Sequence, residues 1–226
     1  MDFSPLWISV KTSLCSTAIT FFLGIWAAWK VVKYKGRLKG LIDGLLTLPM
    51  VLPPTVVGFF LLLLFGKNGP LGKLLELMGT RVIFTWFSTV IAASVVAFPM
   101  MYKTVRGGLE QIDGNIINAA RTLGVSEHRI FWRVTVPLAW PAIAAGTVLS
   151  FARALGEFGA TLMIAGNIPG RTQTIPVAIF FMAEGGQMDK ALLWVVLIFI
   201  ISLVVMTLMN YWTDRQSRAA PVGVRR

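Results

Sequence analysis

The chain has 226 residues, of which 56% are hydrophobic and 14% charged, with a mean hydropathy of +0.73 and a net charge of +11. A soluble domain is nearer a quarter charged, so this composition excludes one, and the length leaves no room for a second domain of ordinary size. The alternation of a membrane β-barrel is absent, so we expect an all-α integral membrane protein whose backbone groups are satisfied within each helix.

Residues 1–11 carry Phe3, Leu6, Trp7 and Ile8 and are expected at the membrane surface, with Trp7 at headgroup level. No basic region precedes the apolar run, so the first span reads as a retained anchor rather than a cleaved signal. That span, residues 12–29, is long enough to cross the hydrocarbon and contains the single cysteine, Cys15. One cysteine excludes an intrachain disulfide and any cysteine metal site. Lys30, Lys33, Lys35, Arg37 and Lys39 follow with no acid among them. By the positive-inside rule this cluster is cytoplasmic, which places the N-terminus outside.

The second span, 41–65, contains Pro49, Pro53, Pro54, Thr55 and Gly58. Three prolines in six residues break the hydrogen-bond ladder and expose carbonyls. At membrane depth this is tolerated only against protein or a water-filled cavity. The segment reads either as a kink that helps packing or as a pathway lining. The outer loop 66–81 holds Gly66, Gly72 and Lys73, a near miss to a P-loop. The glycine spacing is one residue too long and Leu74 stands where Ser or Thr is needed, so we expect no nucleotide site in this chain.

The third span, 84–102, returns to Lys103 and Arg106, and a polar loop over 113–136 follows. Asn115 is the expected N-cap of a short helix. Ile116, Ala120 and Leu123 fall at helical spacing as one apolar stripe, and Gly124 sits where a left-handed residue ends a helix. Ser126 is expected to cap a second short helix, with Glu127 at its positive end. The only histidine, His128, reads as a solvated surface residue. A short amphipathic helix outside the membrane either joins two spans or fits a groove in a soluble partner. Pro137 opens the fourth span, 137–165. A second outer segment, 166–190, precedes the fifth span, 191–212, and a tail with Arg215, Arg218, Arg225 and Arg226 is expected to be disordered.

Five basic residues follow the first span, five follow the third and four lie in the tail, fourteen of the twenty-one. The positive charge is therefore mainly an orientation signal and not evidence for nucleic acid. Arg153 and Glu157 lie inside the fourth span, four residues apart, so they share a face and pair. They are the only charges expected within the spans, and such groups face a bundle interior or an aqueous cavity. Gly156 and Gly159 would let another backbone approach. The pair reads equally as a structural salt bridge or as a gate.

Several stretches carry a family resemblance. Asn118, Ala119, Ala120, Arg121, Thr122, Leu123 and Gly124, continued by Val134, Val136 and Pro137, resemble the EAA loop of ABC-importer permeases, with Asn118 where that pattern has Glu. Residues 48–58 (LPMVLPPTVVG), 151–160 (FARALGEFGA) and 167–176 (NIPGRTQTIP) resemble the permease subunit of molybdate ABC transporters. The resemblance implies a type I, MetI-like permease fold of about five spans in a single domain over 1–226, with the C-terminus cytoplasmic, in the cytoplasmic (inner) membrane of a bacterium or archaeon. It implies that the 118–124 helix couples to a cytoplasmic ABC ATPase dimer, which binds ATP and Mg, while this chain binds no cofactor or metal and has no catalytic residue. It implies a second copy of this chain lining the pore. It also implies an external oxyanion-binding protein docking on the outer segment, for which Asn167, Pro169, Arg171, Thr174 and Pro176 are the candidates. A helix starting near Pro176 would be the docking surface or a lid.

The alternatives within this class are permeases for sulfate, thiosulfate or tungstate. A membrane-embedded enzyme needs several acids, histidines or cysteines converging at one depth. A secondary transporter should show paired repeats and ion-coupling residues. The sequence shows neither pattern.

Overall fold

In the computed structural model, which describes residues 2–219, every regular element is helical. The first helix, α1 (Ser4–Lys33), organises the rest. Its buried face is built of small and hydroxyl residues: Ser9, Thr12, Ser13, Ser16, Thr17, Thr20, Gly24, Ala27 and Ala28. Small residues at three- and four-residue spacing let a second backbone approach closely. The helix that does so is α5 (Trp86–Glu110), where Ser88, Thr89, Ala92 and Ala93 are buried in turn. A Cβ on Gly24 would lie 2.6 Å from Met101 Cγ, so glycine is required there. The buried hydroxyls are satisfied locally: those of Ser13, Thr17 and Thr20 donate to carbonyls one turn back, and Thr12 shares a 2.9 Å bond with Thr89. This answers the cost of burying polar groups in an apolar bundle.

Residues 4–11 are not a separate surface segment but the first turns of α1. Pro5 sits in the first turn of α1, where its missing N–H is harmless, and no breaker follows before Gly24, so the helix runs unbroken for 30 residues, about 45 Å. The second span is not one straight helix. α2 (Lys39–Val51) and α3 (Pro54–Phe65) meet at 111°, because Pro53 and Pro54 remove consecutive backbone donors. A short α4 (Pro70–Leu77) occupies the following loop.

After α5 come α6 (Gly114–Thr122) and α7 (Glu127–Ile130), then a π-helical turn (Phe131–Thr135) and α8 (Val136–Leu155). Pro137 does not open a new helix. α7, the π turn and α8 form one continuous rod of 29 residues, with Pro137 in the first turn of α8. At about 43 Å this rod exceeds the roughly 30 Å hydrocarbon, and its polar first turns, with Glu127, His128, Arg129 and Arg133, extend beyond it. The fourth span does not reach residue 165 unbroken either. α8 stops at Leu155, and α9 (Gly159–Ala165) begins after the Gly156–Glu157–Phe158 corner.

α10 (Ile175–Glu184) starts beside Pro176, and α11 (Met188–Ala219) closes the chain. α11 contains Arg215 and Arg218, so helix continues where a disordered tail is expected; Arg225 and Arg226 lie outside the described residues. Leu192, Leu193, Val196, Phe199, Ile200 and Leu203 of α11 are exposed. Such a surface is stable only against lipid or another protein. Among the described residues four helices are long and apolar enough to cross a membrane, and the bent α2–α3 pair makes a fifth. The main core joins Ala28, Val31, Met101, Tyr102, Val105 and Ile143 of α1, α5 and α8, and a second joins α3, α5 and α9.

Candidate functional site

Two features stand out: a helix projecting from one end of the bundle, and a junction of two broken helices inside it. The projecting helix is α6, none of whose residues is buried. Its N-cap is Asp113, not Asn115. The Asp113 carboxylate accepts from the Asn115 N–H at 2.9 Å, since the helix begins two residues earlier than its side chains suggest. At the other end Gly124 takes φ +72°. The Val125 N–H donates to Ala120 O and the Gly124 N–H to Arg121 O, a glycine stop that satisfies the last carbonyls. Ser126 stands at the start of α7 with extended backbone, but its side chain makes no cap bond.

The apolar side chains of α6 do not form the stripe Ile116, Ala120, Leu123. Ile117 and Asn118 line a cleft of about 160 Å³ against Trp29, Val32 and Phe131, and Ala120 is half-buried. Ile116, Ala119 and Leu123 point outward, Leu123 being 81% exposed. Glu127 locks this helix to the bundle. Its carboxylate accepts from Arg121 Nε at 2.6 Å and from Lys33 Nζ, at the end of α1, at 2.6 Å. These two cations, Arg121 first, pull the Glu127 carboxyl down to about 2, and Glu127 in turn raises Arg121. Lys33 also lies over the Trp29 ring at 4.3 Å, and Trp29 meets Phe131 at 5.0 Å. Asn118 Oδ1 accepts from Arg121 at 3.1 Å, so the residue that replaces an acid steadies the same arginine.

The second feature brings together residues about a hundred positions apart. α3 packs on α9 with glycine on both sides of the contact. A Cβ on Gly58 would fall 2.8 Å from Ala160 Cα, and one on Gly159 would fall 3.2 Å from the Thr55 backbone N and from Pro54 Cβ. Pro53, Thr55 and Gly156 are exposed around this contact. Glu157 occupies the corner between α8 and α9 and is 2% exposed. Its Oε1 accepts from the Ala160 N–H at 2.8 Å, which caps α9. Its Oε2 lies 2.9 Å from Arg153 Nη1, an ion pair off the hydrogen-bonding angle, so that oxygen has its charge compensated but no hydrogen bond. Arg153 remains 27% exposed. Sequence-predicted Pro53, Pro54, Thr55, Gly58, Arg153, Gly156, Glu157 and Gly159 thus belong to this junction. Pro49 does not: it lines a different cavity with Ile19, Thr20 and Phe98.

The Arg153–Glu157 pair is not the only charge within the spans. Asp43 of α2 accepts from Tyr102 Oη at 2.8 Å and from Arg106 of α5, and Arg106 Nε donates onward to Glu110 at 2.9 Å. This network ties the first half of the broken span to α5. An acid within the apolar run 41–65 is the signal that identifies it.

The outer-segment candidates divide. Pro169 and Arg171 are exposed, and Arg171 shares a cavity wall with Lys67 and Arg81. Thr174 is buried, so it is no docking residue. Asn167 accepts from Gln173 at 2.8 Å and shapes the turn, while Pro176 lies in the first turn of α10. The Ile175 N–H at that helix start donates to Ser9 Oγ of α1 at 2.7 Å.

Residues 20–219 match the family described as binding-protein-dependent transport system inner membrane component. The chain is 43% identical over 205 residues to the putative molybdenum transport system permease protein YvgM of Bacillus subtilis, covering 90% of each chain. It is 42% identical over 221 residues to the molybdenum transport system permease protein ModB of Escherichia coli, covering 95% of this chain and 96% of that one. The fold is similar to that of the MetNI methionine ABC transporter in an inward-facing conformation, with TM-score 0.68 at 16% identity over 95% of this chain and 94% of that one.

Proposed function

Because the chain belongs to the family of binding-protein-dependent transport system inner membrane components, we propose that it is the pore-forming permease subunit of an ATP-driven importer whose cargo is molybdate. The cargo reading rests on two relatives over nearly the whole chain whose names specify molybdenum transport. The mechanism rests chiefly on one observation: α6 projects from the bundle with Ile116, Ala119 and Leu123 turned outward, yet is clamped through Arg121, Glu127 and Lys33 to the end of α1. A helix presented in this way fits a groove in a soluble partner, and the clamp passes its displacement into the bundle instead of letting the loop yield.

In this reading the partner is an ABC ATPase dimer that binds ATP and Mg, and one such dimer engages two copies of this chain. The basic cluster from Lys30 to Lys39 lies at the same end as α6, which supports a cytoplasmic position for both and an outer N-terminus. Arg153, Thr55 and Gly156 at the broken-helix junction then face the pathway shared by the two copies. A conduit holds its cargo weakly enough to release it. A partly exposed arginine already compensated by Glu157 fits that requirement for an oxyanion better than a free one would. An external oxyanion-binding protein delivers the cargo to the opposite face, where Pro169 and Arg171 are available. The protein is multi-pass, and the cytoplasmic membrane of a bacterium or archaeon is the compartment this arrangement needs.

The test is uptake of labelled molybdate into vesicles holding this chain with its co-encoded ATPase and binding protein. ATP-dependent uptake that excess sulfate leaves unchanged is the expected result. Suppression by sulfate would move the cargo to that anion, and uptake independent of ATP would overturn the importer reading.

A further inference from the structure

A groove of about 410 Å³ runs between α1 and the rod formed by α7, the π turn and α8. Phe22, Trp26 and Trp29 line one wall and Phe131, Trp132 and Trp140 the other. Phe22, Trp26, Trp132 and Trp140 are 70%, 59%, 57% and 40% exposed. From Phe22 to Trp29 the groove follows α1 for about 10 Å, much of one leaflet's half of the hydrocarbon. It begins at the end where α6 projects and runs toward mid-membrane.

The mouth at the α6 end is cationic. Glu127 is already compensated by Arg121 and Lys33. Lys30, Arg129 and Arg133 stand exposed on the adjoining turns, and none has an acidic partner among the described residues. An extended polypeptide segment laid in the groove would bring backbone N–H and C=O groups against aromatic rings that cannot pair them. A hydrocarbon chain carries no such groups. Unpaired cations at the headgroup end select a negative headgroup over a zwitterionic one.

We infer that this groove is a binding site for an anionic phospholipid of the leaflet at the α6 end, one acyl chain lying along the tryptophans and the phosphate held by Lys30, Arg129 and Arg133. The leaflet assignment rests on the orientation proposed above; the site itself does not. Trp29, Glu127 and Phe131 line both this groove and the cleft beneath α6. A lipid seated there braces the base of the projecting helix, so the bilayer's anionic lipid content sets how firmly α6 is held.

The experiment uses the purified full chain in phosphatidylcholine nanodiscs, with tryptophan fluorescence quenched by brominated phosphatidylglycerol or brominated phosphatidylcholine. Brominated phosphatidylglycerol is expected to compete at least about five-fold better, the fold-change that one surface cation contributes. The Lys30→Ala/Arg129→Ala/Arg133→Ala variant should bring that ratio near one. Trp26→Leu with Trp140→Leu should remove the selectively quenched fraction without altering the far-UV spectrum. Equal quenching by the two lipids overturns the site, as does a preference that survives the triple variant. Displacement of the bound lipid by added ATPase subunit also overturns it, since the groove would then be a protein interface. None of these readouts requires transport, so the lipid site and the importer reading fail separately.

Discussion

Glu157→Ala is the sharpest perturbation of the broken-helix junction. Glu157 is 2% exposed and does two jobs, accepting from the Ala160 N–H at 2.8 Å and compensating Arg153 at 2.9 Å. Truncation leaves the fully buried Ala160 donor without an acceptor, at about 1–3 kcal/mol. Removing one member of a buried ion pair costs about 3–5 kcal/mol. Arg153 keeps 27% of its side chain exposed, so water relieves part of the second penalty. We expect a combined loss of about 3–4 kcal/mol. Glu157→Gln keeps a carbonyl oxygen for the Ala160 N–H and loses only the charge, so its loss should be about half of that, about 1–2 kcal/mol. Both follow from detergent-titration unfolding of the purified protein monitored by circular dichroism. Equal losses in the two variants would refute the capping role. A cycle with Arg153→Met showing coupling below about 0.5 kcal/mol would refute the ion pair.

Two further predictions concern packing and charge. Gly58→Ala places a methyl 2.7 Å from Met163 Cβ and 2.8 Å from Ala160 Cα, so it should cost about 1–3 kcal/mol by overpacking. Gly156→Ala has its nearest neighbour at 3.7 Å and should change stability by less than about 0.5 kcal/mol; the same unfolding titration separates the two. Glu127 has a carboxyl depressed to about 2, so its contribution to holding α6 is complete above its ordinary value of 4.5 and is lost as pH falls from there through about 2. Amide hydrogen exchange of α6, corrected for intrinsic rates, should therefore be flat from pH 8 to pH 5. Glu127→Gln should speed it across that whole range, and unchanged exchange in the variant would refute the clamp.

What the sequence determined by itself is what depends on a few neighbouring residues. Apolar runs of span length, the left-handed Gly124, the proline break at residues 53–54 and the helix start beside Pro176 are local, and the physics that sets them acts within a turn or two. The short helix of the polar loop is legible in the same way, as a polar interruption with a glycine stop. The cap is equally local: Asp113, not Asn115, caps α6 because it precedes Asn115 by the two residues over which its carboxylate reaches forward to that N–H. Tertiary structure decided which faces meet. That Asp43 pairs with Tyr102, 59 residues away, and Glu127 with Lys33, 94 residues away, follows from how α1, α2, α5 and the α7–α8 rod are stacked. No periodicity along one segment encodes it. The same holds for Gly58 against Ala160 and for the turn of Ile117 rather than Ile116 toward the bundle. In a membrane both faces of a span are apolar, so hydropathy alone does not say which one meets protein; small residues, hydroxyls and the few charges decide that, and their partners are known only once the helices are packed.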